Sequence, residues 1–228
     1  MTSSAKIGGI AILLVAFLYL ASFAFASPLV GLEDGDNPAV SLEFIRQHSD
    51  FYFVSGMASI LAAITLTVAV LSIADTVLQP SSSLLMRTSS TFGLFAAAFL
   101  FSHGVLRVQS PGTLLYIEGL NHEWGLSAYL AVQMAGTQGL ASAGIFALST
   151  WEIGLSLAGW HSRKLPRALS LLGILPALPW LMGLLGRLGS LGSLPDALWL
   201  LYIGPIILGI PLWCAVLGVV LLRWKPTT

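Results

Sequence analysis

Six stretches of this chain are apolar enough, for long enough, to need a surrounding other than water. They cover residues 7–27, 51–74, 91–108, 139–160, 168–186 and 197–222. A helix needs about 20 mostly apolar residues to cross a hydrocarbon core of about 30 Å. Only 9% of the 228 residues are charged, against about 25% in soluble domains. So few water-facing groups suit lipid, where backbone polar groups must pair within the chain. The fold class that follows is all-α: a polytopic transmembrane helix bundle of about six spans, forming one transmembrane domain over 1–228.

Charge sets the sidedness. With the N-terminus inside, Lys6, Arg87, Arg163, Lys164, Arg167, Arg223 and Lys225 fall on the inner face. Arg46, Arg107 and Arg187 fall outside. The excess of basic residues inside predicts an N-in, C-in arrangement. The external loops are then 28–50 and 109–125. The first carries Asp-Gly and Asn-Pro turn signals, and its second half can form a short helix laying Leu42, Phe44 and Ile45 on the interface. Ala24-Phe25-Ala26 before Ser27 resembles a signal-peptide cleavage site, which would remove residues 1–26. The apolar run before it is about 19 residues, longer than the usual 7–15, so the segment reads as a retained span.

Residues 126–160 are too long for one crossing, at about 52 Å as a helix. They read as an interfacial helix that continues into the membrane, with 139–160 as the spanning part. Pro176, Pro179, Gly204-Pro205 and Gly209 with Pro211 interrupt the last two spans. Such breaks can line a substrate site, but neighbouring helices also absorb them in ordinary packing. Gly183, Gly186, Gly189 and Gly192 read as a loosening helix end.

Few side chains carry chemistry. Glu152 lies about 13 Å deep from the inner end of its span. Its functional reading is a proton relay or a cation ligand. Its structural reading is a protonated or hydrogen-bonded acid paired with Ser149, Ser156 or a threonine of a neighbouring span. His103 and Arg107 share a face one turn apart, near the outer end of the third span. Gln133, Thr137 and Gln138 give the fourth helix a polar stripe beside Ala135, Gly139 and Ala143. That stripe reads as helix packing or as a polar pocket at the outer mouth. His48, His103, His122 and Glu123, with Asp50 and Glu118, fall at one depth and would suit zinc if they converged. No pair has a recognised metal spacing. His103 is the only histidine inside a span and His161 is at the opposite face, which does not suit bis-histidine haem ligation. The tryptophans read mostly as interface markers.

No Gly-x-Ser-x-Gly elbow and no phosphate-loop fingerprint occurs. With equal numbers of acidic and basic residues, there is no basic excess for nucleic acid. Cys214 is the one cysteine, so no intrachain disulfide forms.

The polar loop after the first span, the stretch Phe44-Ile45-Arg46, the inner loop from Trp160 through His161-Ser162-Arg163-Lys164-Leu165-Pro166-Arg167 to Leu169, and the Pro205 of the last span together resemble an uncharacterised family of bacterial six-span membrane proteins, a domain of unknown function. The resemblance implies a bacterial cytoplasmic membrane. It implies no catalytic residues.

The leading expectation is a non-enzymatic membrane protein: a structural or accessory subunit, or a component that binds membrane partners or its own copies in the bilayer. A small-molecule or ion transporter using Glu152 and the broken helices is the alternative. A metal-dependent membrane enzyme at the external histidines is the third reading. No cofactor is expected beyond that metal ion.

Overall fold

The computed structural model describes residues 2–30, 37–77, 84–175, 177 and 208–223. Among them all regular structure is helical: α1 Thr2–Val30, α2 Pro38–Gln47, α3 Ser49–Val77, α4 Leu84–Leu120, α5 His122–Val132, a π-helical segment Gln133–Leu140, α6 Ala141–Ser162, α7 Arg167–Ile174 and α8 Ile210–Leu222. Four stretches are long and apolar enough to cross a membrane: Ser4–Phe25, Ser49–Asp75, Leu84–Leu120 and Ala141–Ser162. The expected fifth and sixth spans fall largely outside the described residues, which retain α7 and α8 from them. Pro176, Pro179, Pro205 and the glycine repeat at 183–192 also lie outside.

The helices pack side by side in the order α1, α3, α4, α6, α7, α8, and α8 returns to α1. The sorting of side chains is that of a lipid-solvated bundle. Alanines fill the interior, among them Ala11, Ala16, Ala62, Ala63, Ala69, Ala96, Ala97 and Ala147. Large apolar side chains such as Ile10, Phe17, Ile64, Leu71 and Phe95 point outward. Between helices already in hydrocarbon, association comes from close packing, which small residues permit. Gly56 and Gly104 show this directly. A Cβ on Gly104 would meet the Gly56 carbonyl oxygen at 2.7 Å, and the reverse contact would be 2.8 Å.

Two expectations are corrected here. Residues 109–120 are not a loop: α4 runs unbroken through Pro111. Proline costs about 3 kcal/mol in a helix interior, yet Ser110, Pro111 and Leu114 are buried. Leu114 joins Leu42, Ile45, Tyr52 and Tyr129 in a second apolar cluster, and that packing outweighs the local preference. From Arg87 to Arg107 is about 30 Å of helix, one hydrocarbon thickness, so the last turns of α4 stand beyond it. The second correction concerns Trp151 and Trp213. Both are fully buried, edge to face at 5.6 Å between ring centroids, and mark no interface. Trp160 and Trp124 are exposed.

The outer cap, at the end of the bundle expected to be external, is built by α2 and α5. Asn37 caps α2, accepting from the Ala39 N–H at 3.0 Å, with Pro38 preset for the first turn. Leu42 and Ile45 are buried and Phe44 is half-buried. Asn121 stops α4 and caps α5, accepting from the Trp124 N–H at 3.2 Å. At the opposite end of the bundle, α6 terminates on Arg163 in the left-handed conformation, φ 56°.

Candidate functional site

The first polar centre sits where α3, α4, α5 and the π-helical segment meet under α2. Its floor is α4, which presents His103 and Arg107 one turn apart. The His103 Nδ1–H donates to the Gly136 carbonyl oxygen at 3.0 Å. A carbonyl can only accept, so Nδ1 carries the proton and Nε2 is left to accept in the neutral ring. The Gly136 carbonyl belongs to the π-helical segment, a geometry that recurs at functional sites. The Arg107 Nη1 donates to Ser55 Oγ at 2.5 Å, and its guanidinium lies 5.3 Å from the centre of the Tyr52 ring, a cation–π distance. Ser55 Oγ passes its own proton to the Ser22 carbonyl oxygen at 2.9 Å. Ser22 Oγ in turn lies 2.8 Å from Ser59 Oγ. The guanidinium is therefore the end of a hydrogen-bonded chain reaching from α4 through α3 to α1.

Among the described residues no carboxylate lies within ion-pair distance of Arg107, and its Nε–H is buried without an acceptor. A cavity of about 10 Å³ lies against it, lined also by Tyr52, His103, Ser110, Tyr129 and Gln133. That is room for about one water-sized group. His103, Arg107 and Gln133, expected as intramembrane polar candidates, are thus brought together. The side chains of Thr137 and Gln138 lie outside the described ones.

The external histidines are a different matter. Among the described residues no three of His, Cys, Asp or Glu gather as a metal site. His103 is turned to Gly136. His48 packs between Phe44 and Phe51, at 4.8 and 5.6 Å. His122 pairs with Glu118 at 3.3 Å. Glu118 also takes Arg46 Nη2 at 2.8 Å, and Arg46 holds Glu43 on its other side. These partners, the Glu118 hydrogen bond first, raise the Arg46 guanidinium above its ordinary pKa. The expected common depth is not found: His103 and Glu118 lie about 22 Å apart along the continuous helix α4. The side chains nearer the Glu118 end serve ion pairs and ring contacts, with Arg46 and Glu118 fastening α2 to α4. The helical continuation of α4 causes this, since it fixes Glu118 on a rigid element beside Arg46.

The second polar centre lies deep in the bundle. Ser149, Glu152 and Ser156 share a face of α6 and are fully buried. The expected hydrogen bonds from Glu152 to Ser149 or Ser156 are not made. Neither carboxyl oxygen has a partner among the described residues, nor do the hydroxyls of Ser149, Ser156 and Ser170 or the Trp213 indole N–H. Tyr19 of α1 and Cys214 of α8 are within electrostatic reach of Glu152. Gly173 makes room here: a Cβ would lie 2.2 Å from Ser156 Oγ and 2.5 Å from Trp213 Nε1.

Sequence reasoning missed Tyr52, Ser110 and Tyr129, which line the cavity, and Ser55, which holds Arg107. A signal exists for two of them. Tyr52, Ser55 and Ser59 recur at helical spacing on the second span, a polar stripe that predicts a polar neighbour. What it could not name was α4 as that neighbour.

Compared with family models, with curated proteins and with solved structures, the chain matches none.

Proposed function

We propose that this chain is a six-span integral membrane protein of a bacterial cytoplasmic membrane, with both termini on the inner side, that works without catalysis by holding a ligand in the polar pocket at its outer mouth. The observation that carries this reading is the pocket itself: a guanidinium with no carboxylate partner among the described residues, a fixed histidine and a π-helical segment, all drawn to one cavity. A charge kept in such a place is costly unless something pairs with it. The non-enzymatic character rests on what the histidines do. His103 and His161 each turn Nδ1 to a backbone carbonyl oxygen and His122 turns Nδ1 to Glu118, so among the described residues none of these three nitrogens is spent on a serine or cysteine nucleophile. The accessory-subunit reading loses part of its motive, because small residues such as Gly56, Gly104 and Gly173 are used for packing within the chain.

Native mass measurement in mild detergent tests the proposal. Wild-type protein should carry, or take up from an extract of its own membrane, a non-covalent ligand that Ser110→Leu, which fills the cavity, no longer holds. A wild-type particle that takes up nothing overturns it.

A second reading, movement of a proton or cation through the interior, is favoured by Glu152. It is a fully buried carboxyl in a bundle where, among the described residues, Ser149, Ser156, Ser170 and Trp213 also carry unpartnered polar atoms, and intramembrane acids concentrate on transport paths. Proton flux in reconstituted vesicles should fall in Glu152→Gln. Unaltered flux removes this reading.

A further inference from the structure

We propose that the cavity beside Arg107 binds one compact anionic atom, either a halide ion or a single anionic oxygen of a lipid phosphate reaching in from the outer leaflet. This rests on reading the outer pocket as a ligand site, and it names the ligand's chemistry.

Three observations converge. The first is charge. The cavity lining includes one permanent cation and no acidic side chain. In the outer cap Glu118 is already engaged by Arg46 and His122, and Glu43 by Arg46. The second is donor direction. Arg107 spends one N–H on Ser55, and among the described residues its buried Nε–H has no acceptor. Tyr52, Tyr129 and Ser110 add hydroxyls that can turn a proton toward the same cavity. His103 cannot supply a competing negative charge, and its Nδ1–H is committed to Gly136. The third is size. A cavity of about 10 Å³ admits one water-sized group. A whole carboxylate or phosphate does not fit inside it, while a monatomic ion or one projecting oxygen does. Water would satisfy the Nε–H but would leave the charge uncompensated, and charge-assisted bonds to an anion are the stronger ones.

The surroundings suit an anion arriving from outside. Arg107 stands about one hydrocarbon thickness from Arg87 along α4, at the outer boundary of the apolar layer. Ile45 of α2 and Val132 of α5 line the cavity from the outer cap, so the bound atom would be shielded from bulk water and its attraction to the guanidinium screened less than at an open surface.

The test uses the full chain in a neutral detergent, at constant ionic strength, with gluconate as the large anion that the cavity excludes. Equilibrium binding of radiolabelled chloride to the wild-type protein gives one arm, and thermal unfolding against chloride concentration gives the second. A third arm keeps gluconate and adds phosphatidylglycerol in place of a zwitterionic lipid. Saturable chloride binding near one per chain, with a matching rise in melting temperature, assigns a free halide. A rise with phosphatidylglycerol alone assigns the lipid oxygen. Arg107→Gln should weaken the response by about tenfold or more, the loss of a charge-assisted contact, and Arg107→Lys should fall between. Wild-type protein that responds to neither chloride nor phosphatidylglycerol overturns the inference, whether or not Arg107→Gln folds. If native mass measurement still finds a bound ligand in that case, the pocket reading stands and only the anionic class is lost. If it finds none, both fall together.

Discussion

Among the described residues neither carboxyl oxygen of the buried Glu152 has a hydrogen-bond partner, and an unmet buried polar group costs about 1–3 kcal/mol. Glu152→Leu should therefore raise the stability of the detergent-solubilised protein by about that amount in thermal unfolding, while any proton flux disappears. A loss of stability would show that the carboxyl is held by a partner. Gly104→Ala should act in the other direction. Its methyl group would press on the Gly56 carbonyl and on the half-buried Ile60 at 2.8 Å, and the backbone carbonyl has little room to move. Overpacking of this kind costs about 1–3 kcal/mol. Gly112 is the control, since a Cβ there meets nothing within 4 Å. Gly112→Ala should gain up to about 1 kcal/mol through helix propensity alone. Equal melting temperatures for the two alanine variants would deny the close approach of α3 and α4. At this scale the sequence was partly readable. An acid, a histidine and an arginine inside apolar runs stand out by type. The burial of Trp151 and Trp213 does not, because an aromatic ring has the same composition at an interface as in a core.

The short helices of the outer cap hold their places by different forces from those of the spans. α2 keeps only Ser41, Leu42 and Ile45 buried, and its half-exposed Arg46 bridges to Glu118, whose side chain is 9% exposed. Pairs with one partner open to solvent weaken as salt rises, the screening length falling to about 3 Å at 1 M. Hydrogen exchange over residues 38–47 should quicken between low and high salt in the wild-type protein. In Arg46→Ala it should be fast from the start and respond less to salt. Exchange that is slow and salt-independent in both proteins would assign the hold on α2 to Leu42 and Ile45 alone. The existence of α2 was legible from Asn37-Pro38 and the apolar spacing that follows. The length of α4 was not. Pro111-Gly112 looks locally like the end of a helix, and only the burial of Leu114 against α2 and α5 reverses that. The π-helical segment was equally hidden. Its residues Gln133, Thr137 and Gln138 look like an ordinary helical stripe, and only the bond from His103 to Gly136 shows where the extra backbone goes.

For the whole molecule, sidedness is the property most open to direct measurement. Cys214 is fully buried and should resist a membrane-impermeant maleimide in the folded protein. In right-side-out vesicles, Tyr116→Cys, at a position 69% exposed, should label readily. Lys164→Cys should label only after the membrane is opened. The reverse pattern would turn the molecule over and place the Arg107 pocket on the inner face. That the chain is a helical bundle suited to lipid was clear from the apolar runs, because the length and polarity of a span are local properties. Which helix neighbours which was not, since the contacts that decide it are long-range. The pairing of α1 with α8 is the extreme case. Gly9 and Gly218 approach so closely that a Cβ on either would meet the other's carbonyl oxygen at 3.0 or 2.9 Å, across roughly 200 residues of intervening chain. During biogenesis α1 therefore emerges long before its lasting partner exists. One flank of the nascent protein must stay provisionally covered by lipid or by an insertion factor until α8 has been delivered to the membrane.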